Sequence, residues 1–106
     1  MRRLLRSWRW RVAVVGHSME PTLREGDWLL VDPIGSPRAG HLVVVHDPRA
    51  DDRILVKRVT ANDDGRLTLE SDHPAHAGEQ IGPVERAGLV GVPWFRYWPP
   101  RRIGRV

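Results

Sequence analysis

The 106 residues predict a mainly β chain, a compact antiparallel β-domain with little helix, and three observations carry that prediction. Short β-type runs succeed each other between Gly, Pro and Asp punctuation. No window sustains a 3.6-residue apolar period, and nine prolines interrupt most helical candidates. The stretch Asn62-Asp63-Asp64-Gly65 reads as a hairpin turn, because Asp-Gly readily takes the positive φ values that a tight turn needs. Domains commonly run to about 100–150 residues, so this length fits one domain with a modest core.

The chain divides into a basic N-terminal arm over 1–10, one domain over 11–100 and a basic C-terminal tail over 101–106. The arm starts positive like a targeting segment, but the next apolar run is only Val12-Ala13-Val14-Val15. A secretory core needs about 7–15 apolar residues and a spanning helix about 20, so neither is expected. Leu4, Leu5, Trp8 and Trp10, interleaved with arginines, suit peripheral contact with an anionic membrane surface. The plainer reading is a solvated arm or the lead-in to the first strand. Predicted strands follow at Arg11 to Val15, Trp28 to Asp32, Leu42 to His46, Ile54 to Thr60, Arg66 to Glu70 and Gly88 to Val92. Trp94, Phe95, Tyr97 and Trp98 gather before Pro99-Pro100, where alternation puts Trp94, Arg96 and Trp98 on one face. That segment reads as a two-faced edge strand, with an exposed aromatic patch for substrate or membrane contact as the sharper alternative.

A net charge of +4 and a pI near 10.9 raise nucleic acid as a partner. The positive charge is spread over both ends, however, and no helix-turn-helix, zinc-finger or RNA-recognition pattern accompanies it, so no nucleic-acid partner is expected. Cysteine is absent, which excludes a disulfide framework, a thiolate metal site and a cysteine nucleophile. A cytoplasmic location is compatible with that composition.

Lys57 is the only lysine among sixteen arginines. Arginine does not lose its proton in a protein, whereas a desolvated lysine becomes a neutral amine able to act as a general base. In Ile54-Leu55-Val56-Lys57-Arg58-Val59, strand periodicity gives Lys57 the neighbours Leu55 and Val59 on one face, and burial there disfavours the ammonium. Ile54, Val56, Arg58 and Thr60 lie on the other face, where Arg58 can reach solvent. The bland reading is a lysine whose stem packs on the sheet while its amine snorkels outward.

A nucleophile for such a base stands at Ser18, in Gly16-His17-Ser18-Met19-Glu20-Pro21-Thr22-Leu23. Gly16 permits close backbone approach, and the turn lifts the hydroxyl clear of the sheet. A serine hydroxyl is weakly nucleophilic until a neutral base takes its proton. The histidines compete for that role: His17 is adjacent to Ser18 and geometrically poor, while His41 and His46-Asp47 flank a strand with nothing in the spacing to select them. Asp72, His73 and His76 form a weak set of metal ligands, for which a solvated loop is the preferred reading. No metal and no cofactor is expected.

Ser18-Met19-Glu20-Pro21-Thr22-Leu23, Gly26-Asp27-Trp28-Leu29-Leu30-Val31, Gly40-His41-Leu42-Val43-Val44-Val45 and Val56-Lys57-Arg58-Val59 agree in order and spacing with four segments of a known family. On them the chain resembles the S26 signal-peptidase-like Ser/Lys serine proteases over nearly its whole length. The resemblance implies a β-fold of the signal peptidase/LexA-like type. It implies that Ser18 attacks a peptide carbonyl, that Lys57 takes its proton and later delivers one to the leaving amine, and that water hydrolyses the acyl-enzyme. The oxyanion would rest largely on the Ser18 backbone N–H. Where some relatives place an assisting serine two positions earlier, this chain has Gly16, which leaves only main chain there.

The last segment departs most, with Ser71-Asp72-His73-Pro74-Ala75-His76 in place of the run that orients the lysine in relatives. The Asp/Arg ion pair and the lysine-orienting serine of the family have no clear counterpart in it; Ser71 and Asp72 are the candidates for support of Lys57. Short length, no membrane anchor and the ending Arg96-Tyr97-Trp98-Pro99-Pro100-Arg101 resemble the nickel-type superoxide dismutase maturation proteases within the family. That resemblance implies a leader-bearing dismutase precursor as substrate, with the nickel belonging to the substrate.

Two rival readings stand beside this one. A LexA-like autoprotease shares the Ser/Lys dyad, although Glu20-Pro21-Thr22-Leu23 fits the signal-peptidase side better and Met1 to Arg11 is short for a scissile loop. A non-catalytic basic β-module binding membrane or nucleic acid would keep Ser18 and Lys57 as relics.

Overall fold

Eight strands and three short 3₁₀ turns make up the computed structural model, which describes residues 11–33, 36–49 and 53–106. The predicted N-terminal arm over 1–10 lies outside the described residues. In chain order the strands are β1 (Arg11–Ala13), β2 (Trp28–Asp32), β3 (Leu42–His46), β4 (Ile54–Asp63), β5 (Arg66–Glu70), β6 (Gln80–Val84), β7 (Leu89–Trp98) and β8 (Gly104–Arg105). All pairings are antiparallel and follow the order β1-β2-β7-β3-β4-β5-β6, with β8 added on β7. The fold is therefore mainly β, as the punctuation of the sequence predicts. Among the described residues no helix is long and apolar enough to cross a membrane.

Strand β3 explains why the sheet curls around two cores. Its residues alternate between them: Leu42 and Val44 join Val12, Met19, Leu23, Leu29, Val31, Ile54 and Val56, while Val43 and Val45 join Val59, Leu67, Leu69 and Val84. A strand buried on both faces reads as an unbroken apolar run, and Leu42-Val43-Val44-Val45 is one. The β4–β5 hairpin closes through Asp64 and Gly65, both at positive φ (56° and 91°), with Asp63 opposite Arg66. This is the two-residue turn that the Asp-Gly pair predicts.

The structure departs from the sequence reading at three places. First, residues 94–98 do not form an edge strand. They continue β7, which lies between β2 and β3 and also carries β8. Register shifts against β2 break the simple alternation; Trp94 and Trp98 are exposed, whereas Arg96 turns inward to Asp27. Second, β6 was not predicted, because Gly82-Pro83 reads as a breaker; at a sheet edge proline costs no ladder bond. Third, the residues read as a basic tail close onto the sheet: Phe95 pairs with Arg105, and Val106 packs against the first core.

Candidate active site

The serine loop leaves β1 at Ala13, and its approach to β4 follows from where its apolar residues are anchored. Val14 exchanges backbone hydrogen bonds with Gly26 and Asp27 (3.0 and 2.8 Å), and Met19 and Leu23 sink into the first core. Between these anchors Gly16 takes φ 85°, a conformation that L side chains resist, and its Cβ position faces open space. The chain reverses there and presents Ser18 toward β4. The Ser18 amide donates to no other described residue.

Lys57 enters from the opposite side. It lies opposite Val43 in the β3–β4 ladder, on the face shared with Leu55 and Val59, and only 6 % of its surface is exposed. Its Nζ lies 2.7 Å from Ser18 Oγ and 2.9 Å from Ser71 Oγ. Burial pushes the amine below the ordinary lysine range, and the Arg49 cation pushes the same way against the smaller opposing pull of Asp47, Glu79 and Asp72. A neutral amine in this geometry accepts the Ser18 hydroxyl proton while donating an N–H to Ser71. The amine does not snorkel outward.

Residues 71–73 are stitched onto the serine loop. The His73 N–H donates to the Ser18 carbonyl (2.9 Å), and the Asp72 N–H reaches Met19 Sδ at 3.4 Å. The Asp72 carboxylate accepts from Thr22 Oγ1 (2.6 Å) and from Arg58 Nη2 and Nε (2.6 and 3.1 Å). Burial would raise the Asp72 carboxyl, but the Arg58 and Thr22 hydrogen bonds and the nearby cations outweigh it and hold it below the usual range. The sequence reading found no counterpart for an Asp/Arg ion pair. The structure supplies one from β4, since Arg58, assigned to solvent, turns back to Asp72. The partner of Asp72 stands one residue after Lys57, outside the Ser71–His76 segment.

A cleft of about 200 Å³ opens beside the pair, lined by Val14, Gly16 and Met19 on one side and by Arg53, Leu55 and Val56 on the other. In β4, residues 54–57 pair with β3 on one edge, and the partnership with β5 begins only at Arg58. The other edge of 54–57 thus carries no strand among the described residues. At the end of this edge stands a cluster that the sequence reading missed. Asp47, fully buried, accepts from Arg49, forms an ion pair with Arg53 and donates its own N–H to the Arg53 carbonyl. Its only signal was the run His46-Asp47-Pro48-Arg49, which looks like an ordinary charged turn.

The histidines are used elsewhere. His17 bonds Glu20 (2.7 Å) rather than Ser18, and that hydrogen bond and charge raise its pKa. His41 Nδ1 accepts from Arg38 N, and His73 Nδ1 accepts from Ala75 N. His46 is exposed, while Asp47 is committed to its arginines. Among the described residues no group of three His, Asp or Glu side chains is placed to hold a metal.

Comparison with curated proteins and with solved structures returned no significant match. Comparison with protein families matched one, described as Peptidase S24-like, over residues 10–92. That span contains Ser18, Lys57, Ser71 and Asp72. The match supports the S24/S26 peptidase superfamily toward which the signal-peptidase-like resemblance points, and a serine peptidase or autoprotease type of function. With most of its length matched, the chain belongs to the Peptidase S24-like family.

Proposed function

We propose that this protein is a serine endopeptidase in which Ser18 is the nucleophile and Lys57 the general base, and that it removes an N-terminal leader from a precursor protein. The observation that carries the proposal is the 2.7 Å contact between a serine hydroxyl and the chain's only lysine, which is buried beside an open cleft. The neutral amine takes the hydroxyl proton as Oγ bonds to the scissile carbonyl carbon. The oxyanion faces the Ser18 amide, and Gly16 leaves main chain alone on that side. The resulting ammonium passes its proton to the departing amine, leaving an ester on Ser18. Water then attacks the ester with the same amine as base, and Ser18 is restored. A substrate in extended conformation can add along the open edge of residues 54–57, main chain to main chain.

The resemblance to nickel-type superoxide dismutase maturation proteases names the candidate precursor. The test is incubation of the purified protein with that precursor, with the new N-terminus read by mass spectrometry. One defined cut should appear, lost in Ser18→Ala and in Lys57→Arg, since arginine keeps the charge but cannot serve as base. Full activity in Lys57→Arg would contradict the mechanism.

The family match favours a second reading, self-cleavage. A tagged Ser18→Ala chain mixed with the wild-type protein separates the two: cleavage of the tagged chain or a precursor in trans supports a processing enzyme. A cut confined to the wild-type chain itself supports an autoprotease.

A further inference from the structure

We propose that Arg53, fixed at the mouth of the Ser18–Lys57 cleft by the buried Asp47, selects substrate segments that carry a carboxylate side chain about three to four residues from the scissile bond. The inference rests on the endopeptidase reading and deepens it from peptide to acidic peptide.

Asp47 has no exposed side-chain surface, and both of its oxygens are engaged. Oδ1 accepts from Arg49 N (2.8 Å) and Arg49 Nε (3.0 Å), Oδ2 accepts from Arg49 Nη2 (3.3 Å), and Arg53 Nε forms an ion pair with Oδ2 at 3.3 Å. Arg49 holds Asp47 through three contacts, so Arg53 is the extra cation of the cluster. Arg53 spends only its Nε on Asp47, and its two Nη groups donate to no other described residue. Its side chain is 60 % exposed, and it lines the cleft with Ile54, Leu55 and Val56. A planar guanidinium whose Nη groups donate to no other described residue matches a carboxylate, and the buried Asp47 limits the rotamers it can explore.

Position gives the register. Arg53 immediately precedes β4, four residues before Lys57 on the edge that β5 leaves open. At a rise of about 3.3 Å per residue, the two lie about 13 Å apart along the strand. A peptide extended on that edge with its scissile carbonyl at Ser18 brings a side chain three or four residues away under Arg53. Apart from the Ser18–Lys57 pair itself, the rest of the cleft wall is apolar, from Val14, Val15, Met19, Leu55 and Val56, so away from that pair Arg53 supplies its charge discrimination.

The test is fluorescence anisotropy on the full Ser18→Ala chain, which reads binding without turnover. The probes are labelled Ala/Val octapeptides with Glu or Gln placed at each position in turn. At one position the Glu peptide should bind about tenfold tighter than its Gln counterpart at low salt. Arg53→Gln should erase the difference, Arg53→Lys should restore part of it, and Arg53→Glu should reverse it toward a Lys peptide. Asp51 and Asp52 immediately precede Arg53 in the sequence, so an Asp51→Asn/Asp52→Asn variant is included; it should keep or strengthen the preference. Equal binding at every position, no binding of any peptide up to millimolar concentration, or a preference that survives Arg53→Gln would overturn the proposal. Acid-selective binding without Ser18-dependent cleavage in the wild type would instead sink the endopeptidase reading alone.

Discussion

A lysine amine 2.7 Å from a serine hydroxyl can take its proton only when uncharged, so at the scale of residues the question is what keeps Lys57 neutral and aimed. Burial acts first and the Arg49 cation second. The rate should therefore rise with pH through a Lys57 pKa that lies below the ordinary value of about 10.4. In Arg49→Gln the depressing charge is gone, so the rising limb of kcat/KM should move to higher pH; an unmoved limb would remove Arg49 from the account. Aim comes from Ser71, whose Oγ accepts from Nζ at 2.9 Å. Ser71→Ala deletes one hydrogen bond to a buried amine, which at about 1.5–3 kcal/mol corresponds to a loss of about 10- to 100-fold in kcat with KM little changed. Much of this was legible before any coordinates. A lone lysine on an apolar strand face and a serine after a turn glycine are both visible in one dimension. Arg49 and Asp47 were not, because a carboxylate buried by its own neighbours in a short turn has the same sequence as a solvated one.

Among the elements, β7 decides the architecture, since it bridges β2 and β3 and holds the two cores in one sheet. Its crossing of β2 is tight. A Cβ at Gly91 would come within 2.5 Å of Val31 Cγ1 and 2.7 Å of the Asp32 carbonyl. Gly91→Ala should therefore destabilise the fold by about 1–3 kcal/mol, the usual cost of overpacking, measured as a lower midpoint in urea with an unchanged slope. A neutral effect would mean that the strands part without cost. The extent of β7 was not legible, because Pro93 reads as a terminator and the register shifts hide a ten-residue strand. Strand β6 was lost for a similar reason at Gly82-Pro83. The turn of the β4–β5 hairpin was legible, because Asp64-Gly65 specifies it, although β4 runs on to Asp63, past its predicted end at Thr60.

Across the whole molecule, the loop before β2 and the C-terminal segment are tied together by one buried carboxylate. Asp27 accepts from Arg96 Nη1 (3.1 Å), Arg102 Nη2 (2.9 Å) and the Arg24 amide (2.9 Å), so the loop before β2 is joined to residues 96 and 102. Burial would raise its pKa, but the Arg102 and Arg24 hydrogen bonds and the two guanidinium charges hold it below the carboxylate range. A carboxyl lowered on folding contributes stability above its unfolded value of about 3.9, which is lost as pH falls toward the folded value. Asp27→Asn leaves its arginines without their counter-charge and should cost about 3 kcal/mol at neutral pH, seen as a lower melting temperature. The difference from wild type should shrink in acid. Lys57 shows the same sign of proton balance in a higher pH window. Its pKa is lowered on folding, so between the folded value and about 10.4 the unfolded chain holds a proton that the folded chain does not, and stability rises with pH across that window. Because the chain has a single lysine, that proton can be followed without assignment. The most direct measurement is an NMR pH titration of the protein carrying isotope-labelled lysine, which reports one side-chain amine. The account predicts a Lys57 midpoint clearly below 10.4 that moves upward in Arg49→Gln; a midpoint at or above the free-lysine value would contradict it.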